Sequence, residues 1–171
     1  MGFKMLVRII VLILIVGTST SVYARSRIPL TAPSELPEFE GVTLGMTKSS
    51  SLARYKLKLR SSEMLHASDD EVFFEMPFNG HVAVYNFSYV DDKLKNIQVT
   101  ICMWGKTDKE KLSIFNLDAK YLQSKYGKPT KINTNNMAIG WIYEIGFIVY
   151  RWHAATNRFW LVFEGYDATY Q

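Results

Sequence analysis

Alternating apolar and polar positions through the middle of the chain predict an antiparallel sheet. Two such runs, Glu71–Phe78 and His81–Val90, are separated by Asn79-Gly80, a dipeptide that tolerates the positive φ angles of a tight hairpin turn. The chain then turns at Asp91-Asp92 into a third run, 93–104, whose apolar residues share one face and whose polar residues share the other. We therefore expect one face of this sheet to be core and the other to be at least partly in water.

Apolar residues spaced by three and four positions predict a long helix over Asp108–Tyr126. Thr107 and Glu110 form the T-x-x-E pattern of a capping box at its start, and Gly127 is placed to end it. The predicted apolar stripe consists of Leu112, Phe115, Ala119, Leu122 and Tyr126.

A shorter helix is predicted over 47–55, with Thr47 as its N-cap and with Leu52 and Ala53 turned inward. Strict alternation over 55–60 then favours an edge strand with a charged outer face, which protects the edge against pairing with another chain. The charged residues of that edge are Lys56, Lys58 and Arg60.

Aromatic and β-branched runs predict further strands near the C-terminus, over 138–144, 147–153 and 158–166, with a weaker strand over 130–134. The element order is helix, up to four strands, helix, then three or four strands. This order predicts an α+β fold, an antiparallel sheet with two helices packed on one side. The halves 41–104 and 105–171 share the same order, which suggests a tandem duplication of a helix plus three-to-four-strand unit.

The N-terminus has the pattern of a secretory signal peptide over residues 1–24. Lys4 and Arg8 precede an apolar run over 9–16, and Val22 and Ala24 place small residues at the positions that signal peptidase reads. An uncleaved anchor is the alternative, but the run is shorter than the roughly 20 apolar residues that cross a bilayer. We expect an exported protein with no stable membrane span, periplasmic in a Gram-negative bacterium and otherwise secreted.

After the signal peptide, residues 25–40 contain Pro29, Pro33 and Pro37 and predict an extended tether, followed by a single α+β domain over 41–171. Loss of residues 1–24 removes two positive charges, so the net charge falls from +4 to +2. This near-neutral charge argues against nucleic acid as a partner. Cys102 is the one cysteine, so no internal disulfide forms, and an inert buried thiol is favoured over a reactive one.

Catalytic and metal-binding motifs are absent from the sequence, which carries no nucleophile elbow, phosphate-binding loop or paired C-x-x-C. His66, Asp69 and Asp70 offer metal ligands but favour a solvated loop. Cys102 could act as a nucleophile with His81 or His153 as its base. One cysteine and three scattered histidines are expected by chance, so this interpretation is disfavoured. We therefore predict no catalytic residue, no metal and no cofactor.

The candidate binding residues lie in the last strands: Arg151, Arg158, Trp160 and Tyr166. Arginine, tryptophan and tyrosine dominate binding interfaces because they combine a large contact area with a polar tip. A sheet face carrying them fits a protein, a peptide or a glycan. The alternative is that these aromatic residues form core beneath the helices.

Two short segments resemble small bacterial envelope domains: 41–47 (GVTLGMT) and 121–129 (YLQSKYGKP), together with the tryptophan-rich C-terminal strands. The group is that of the small barrel-assembly lipoprotein domain and the tandem β-lactamase-inhibitory-protein-like fold. The chain departs from the lipoproteins by lacking an N-terminal cysteine and from the inhibitor by lacking disulfides. The resemblance implies a noncatalytic binding role and transfers no site residue.

These observations predict an exported, noncatalytic binding module: an inhibitor, an immunity-type protein or an envelope-assembly accessory. Its partner is expected to be another protein or a peptide of the envelope. A structural or stress-related envelope protein without a discrete site is the alternative, and a small hydrolase is less favoured.

Overall fold

The computed structural model describes residues 36–56 and 64–166, which all belong to one compact unit, 31–171. Its helices are α1 (Lys48–Lys56) and α2 (Asp108–Tyr126). Its strands are β1 (Met64–Ala67), β2 (Glu71–Phe78), β3 (His81–Val90), β4 (Lys93–Cys102), β5 (Lys131–Asn133), β6 (Ala138–Tyr143), β7 (Gly146–His153) and β8 (Arg158–Gly165). A 3₁₀ turn over Ala154–Thr156 connects the last two strands.

All eight strands form one antiparallel sheet in the order β1-β2-β3-β4-β8-β7-β6-β5. Each half of the chain supplies a helix followed by a four-stranded meander. The two meanders meet where β4 pairs with β8, in a register that runs from Asn96 opposite Glu164 to Cys102 opposite Arg158. The predicted α+β class with an antiparallel sheet is therefore confirmed.

Two tight turns set the register of β2, β3 and β4. Asn79 and Gly80 have φ angles of 45° and 86°, the left-handed conformation that a two-residue hairpin requires. Asp91 and Asp92 have φ angles of 49° and 58° and connect the next pair of strands in the same way. The hairpin predicted at Asn79-Gly80 is confirmed.

The boundaries and caps of α2 agree with the sequence prediction. The Glu110 N–H donates to Thr107 Oγ1 at 3.3 Å, and the Thr107 N–H donates to Glu110 Oε2 at 2.8 Å. The hydrogen bonds from the backbone and side chain of Thr107 lower the pKa of Glu110, because they favour the carboxylate. At the other end, the Gly127 N–H donates to the Gln123 carbonyl, and the Trp141 indole donates to the Gly127 carbonyl at 2.9 Å.

One face of the sheet carries an aromatic core that packs against α2. The Phe115 ring lies parallel to the Tyr150 ring at 5.7 Å and also contacts the Phe159 ring at 6.1 Å. Tyr126 meets the edges of Trp141 and Phe163. The largest fully buried side chains are Phe39, Phe74, Tyr85, Phe87, Leu94, Ile97, Ile101, Leu122, Tyr150, Phe159 and Phe163.

The inward faces of both helices differ in part from the prediction. Leu112 is 47% exposed, while Asp118 is fully buried and continues the stripe of Phe115, Ala119 and Leu122. In α1, Ala53 is exposed, and the buried residue is a serine. The Ser51 hydroxyl lies 2.8 Å from the Tyr89 hydroxyl. This hydrogen bond lets the polar side chain be buried without an unsatisfied group.

The folded part starts before the predicted domain boundary at residue 41. Phe39 is buried, and its backbone exchanges hydrogen bonds with Val42. Glu40 pairs with Lys125 of α2 and accepts a hydrogen bond from the Tyr121 hydroxyl at 3.2 Å. Residues 55 and 56, predicted to begin an edge strand, instead end α1. The predicted signal peptide, most of the tether and the rest of that edge strand lie outside the described residues. Within the described ranges, no helix has the length and apolarity needed to cross a membrane.

We expect Leu122→Ala to lower the free energy of unfolding by about 2 to 5 kcal/mol, because it empties space at a fully buried position. Leu112→Ala, in the same helix, should change it by less than about 0.5 kcal/mol, because Leu112 is 47% exposed. Denaturant unfolding of both variants compares the two effects directly. Equal losses would show that Leu112 is core and that this assignment of the helix face is wrong.

Candidate functional site

The face opposite the aromatic core, which we call the polar face, carries the polar side chains of β4 and β8 and also buried apolar side chains such as Val149. Side chains alternate along a strand, so Trp160 points away from the core formed by its buried neighbours Phe159 and Leu161. Arg151 likewise points away from the core face, on which its neighbour Tyr150 lies. The alternative that places Trp160 in the core beneath α2 is therefore not supported.

Four side chains at one end of this face form a cluster, the Arg-Trp cluster: Arg151, His153, Arg158 and Trp160. In the register of β7 and β8, Arg151 lies opposite Trp160 and His153 lies opposite Arg158. The Arg151 guanidinium carbon is 5.6 Å from the centre of the Trp160 ring, within the range of a cation–π contact. The His153 ring stacks on Trp160 with a centroid separation of 4.1 Å and an angle of 14°.

Hydrogen bonding in this cluster is incomplete. Arg151 Nε and Trp160 Nε1 are buried atoms with no hydrogen-bond partner among the described residues. Asn86 Oδ1, on β3 of the same face, is likewise buried and without a partner. Most buried polar groups in folded proteins are paired, so three unpaired atoms on one face single it out from the rest of the described molecule.

The surroundings of His153 favour its neutral form. Partial burial, followed by the positive charge of Arg151, lowers the pKa of His153. Its Nδ1 lies 2.9 Å from Thr156 Oγ1. The cluster therefore presents two permanent positive charges around a neutral stack of imidazole and indole.

Tyr166, the fourth candidate binding residue, lies apart from the other three. It follows β8, its N–H donates to the Ile145 carbonyl, and its ring contacts Phe147 at 6.0 Å. Tyr166 is six positions after Trp160, which corresponds to roughly 20 Å along an extended chain. The structure therefore brings Arg151, Arg158 and Trp160 together with His153 and places Tyr166 at the opposite end of the strand.

Cys102 is exposed, so the expectation of a buried thiol is wrong. It is the last residue of β4, on the polar face beside Arg158. β8 separates Cys102 from His153, and two strand spacings amount to roughly 9 to 10 Å. His81 turns toward Asp118 on the core side of the sheet. Neither histidine is therefore placed to act as a base for the thiol.

The predicted solvated loop over His66, Asp69 and Asp70 is correct only in part, because His66 lies within β1 and pairs with Phe73 of β2. His66, Asp69 and Asp70 are all exposed. Across residues 36–56 and 64–166, no three histidine, cysteine or acidic side chains are grouped to hold a metal ion.

Asp118 is a buried carboxylate that the sequence pattern did not reveal. Its Oδ1 accepts a hydrogen bond from Asn79 Nδ2 at 2.7 Å, and its Oδ2 accepts one from the Tyr150 hydroxyl at 2.6 Å. His81 Nε2 lies 3.9 Å from Oδ1. Burial raises the pKa of Asp118, although these three partners oppose the rise. The group ties the β2–β3 turn and β7 to α2, which indicates a structural role.

Comparison with known proteins returns no relative: no protein-family model matches the chain, and neither a curated protein nor a solved structure is significantly similar to it. The site therefore has to be interpreted from its own geometry and chemistry.

The raised pKa of Asp118 predicts a specific pH dependence of stability. The folded state binds this proton more tightly than the unfolded state does, so the stabilisation is complete below the unfolded pKa, about 3.9, and is lost as pH rises through the folded pKa. From neutral to acidic pH, the wild type should therefore gain stability relative to Asp118→Asn. Unfolding of both proteins across this range measures the difference, and parallel profiles would contradict the prediction.

Asp118→Ala provides the comparison for hydrogen bonding. It leaves the buried Tyr150 hydroxyl and the Asn79 amide without their acceptor, at a cost of about 1 to 3 kcal/mol for each group left unsatisfied. Asp118→Asn can keep both bonds, because the amide oxygen accepts from Asn79 and the amide nitrogen donates to Tyr150. At neutral pH the alanine variant should therefore be the less stable of the two.

Proposed function

We propose that the protein is an exported, noncatalytic binding module that docks on another protein or a peptide through the polar face of its sheet. The observation that carries this proposal is the Arg-Trp cluster, which gathers two arginines and a tryptophan around a stacked histidine. Side chains of these types dominate the energetics of protein interfaces. Such a surface suits an inhibitor, an immunity-type protein or an envelope-assembly accessory.

The side chains on this face suit binding better than catalysis. A cysteine nucleophile needs a base within hydrogen-bond reach, and β8 stands between Cys102 and His153. The buried carboxylate of Asp118 lies on the opposite side of the sheet, where it accepts hydrogen bonds from Asn79 and Tyr150. The cluster offers rigid aromatic area and N–H donors, which are the elements of a recognition surface.

The finer architecture belongs to the same proposal: two helices on one side of the sheet and an origin by tandem duplication. Ser51 of α1 contacts Tyr89, and Phe115 of α2 contacts Tyr150, both of them buried residues of the sheet. Each half also repeats a helix and a four-stranded meander, and the last strands of the two halves pair with each other. These contacts and this order support the arrangement, in which the Arg-Trp cluster lies on the face turned away from both helices.

Export is tested by the N-terminus of the processed protein. Because residues 22 and 24 are small and follow a short apolar run, cleavage should leave Arg25 as the first residue. N-terminal sequencing of the exported protein should begin at that residue. Intact chains that begin at Met1 and sediment with membranes would contradict export in a released form.

Docking through the polar face is tested with a photo-crosslinker attached to Cys102. The thiol is exposed, is the one cysteine of the chain and lies beside Arg158, so the probe reports contacts at the Arg-Trp cluster. In an extract of the producing cell's envelope, we expect a discrete crosslinked partner. Arg158→Ala should weaken this crosslink while changing the free energy of unfolding by less than about 0.5 kcal/mol, because Arg158 is exposed.

The matched control moves the probe to the exposed surface of α2, in the double variant Cys102→Ser and Lys109→Cys. This position should give no discrete product. The same product from both positions, or from neither, would rule out the polar face as the docking surface.

A further inference from the structure

Two neighbouring N–H groups of the Arg-Trp cluster have no acceptor. Arg151 Nε and Trp160 Nε1 are buried and unpaired among the described residues, and the two residues lie opposite each other on β7 and β8. Both unpaired groups are donors, so the group that would satisfy them is an acceptor. Both residues are partly exposed, so the two donors belong to side chains that reach the surface.

The same place carries uncompensated positive charge. Within the described residues, neither Arg151 nor Arg158 forms an ion pair with a carboxylate. Glu164 lies on the same face of β8, but four residues of strand place it roughly 13 Å from Trp160. Burial and then the charge of Arg151 lower the pKa of His153, so the histidine adds little positive charge of its own at neutral pH. The acceptor that fits the cluster is therefore negatively charged.

Carboxylate is an anion that matches these donors. A guanidinium group presents planar, parallel N–H donors that fit the two oxygens of a carboxylate, and the bond is stronger than one between neutral groups. The stacked rings of His153 and Trp160 supply an apolar floor for the methylene groups that carry an acidic side chain.

We propose that the segment docked on the polar face is acidic, and that an aspartate or glutamate side chain of the partner is received by Arg151 and Arg158 beside Trp160. This inference rests on the proposed binding function and names the chemistry of the partner. It commits to a peptide segment, because Arg158 is exposed and the other three side chains of the cluster are partly exposed, which suits a contact at the surface.

Protection of Cys102 provides the test, since Cys102 lies directly opposite Arg158. The probes are two short peptides of glycine and serine, one with adjacent glutamates at its centre and the other with glutamines. The rate of alkylation of Cys102 is measured against peptide concentration. The glutamate peptide should slow the reaction and the glutamine peptide should not, and added salt should weaken the protection because it screens exposed charges.

Arg158→Glu reverses a charge at an exposed position and should weaken binding of the glutamate peptide by about tenfold or more. Arg151→Lys keeps the charge but removes the planar donor group, so it should also weaken binding. Lys109→Glu makes the same change in net charge on the exposed surface of α2 and should have no effect. Unfolding midpoints of the three variants show whether each one is folded.

Each other outcome has a definite meaning. Equal protection by the two peptides would overturn the acidic partner while leaving docking on the polar face in place. Protection by inorganic phosphate as strong as that by the glutamate peptide would overturn it in favour of a phosphate-bearing ligand. Protection by neither peptide at millimolar concentration would also overturn it, and the crosslinking experiment would then decide the proposed function separately.

Discussion

The pairing of β4 with β8 is the constraint on which the rest of the structure depends. Each half of the chain builds a four-stranded meander, and this seam alone joins the two meanders into one sheet. Its register sets Ile101 against Phe159 on the core side and Thr100 against Trp160 on the polar side. The core that anchors α2 and the surface that carries the Arg-Trp cluster therefore follow from the same set of backbone hydrogen bonds. A shift of one residue would exchange the two faces of β8.

Most elements of the fold could be predicted from the sequence because their signals are local. Asn79-Gly80 allows the positive φ angles of a hairpin turn, and Thr107 with Glu110 caps α2 through contacts three residues apart. The alternation of residues along β8 also placed Arg158 and Trp160 on a common face. Such signals depend on chain neighbours only, so they survive without knowledge of the tertiary structure.

The features that escaped prediction depend on contacts between residues far apart in sequence. Asp118 can be buried because Asn79 and Tyr150 donate hydrogen bonds to its carboxylate. Both donors lie outside α2, so the pattern of residues within the helix does not predict them. Leu112 fits the spacing of the apolar stripe but lies in the first turns of the helix, where its side chain stays exposed. The position of Cys102 beside Arg158 likewise required the strand order, in which β8 lies next to β4.

The direction of the two meanders has a consequence for folding. Each meander begins at an outer edge of the sheet and ends at its centre, so the strands that hold the halves together are the last ones of each half to be synthesised. Until β8 has paired with it, β4 presents an open edge with Ile97, Val99 and Ile101 along it. Unpaired apolar edges of this kind promote aggregation. Docking of β8 therefore both joins the two halves and covers the edge at which the partly folded chain is most exposed to aggregation.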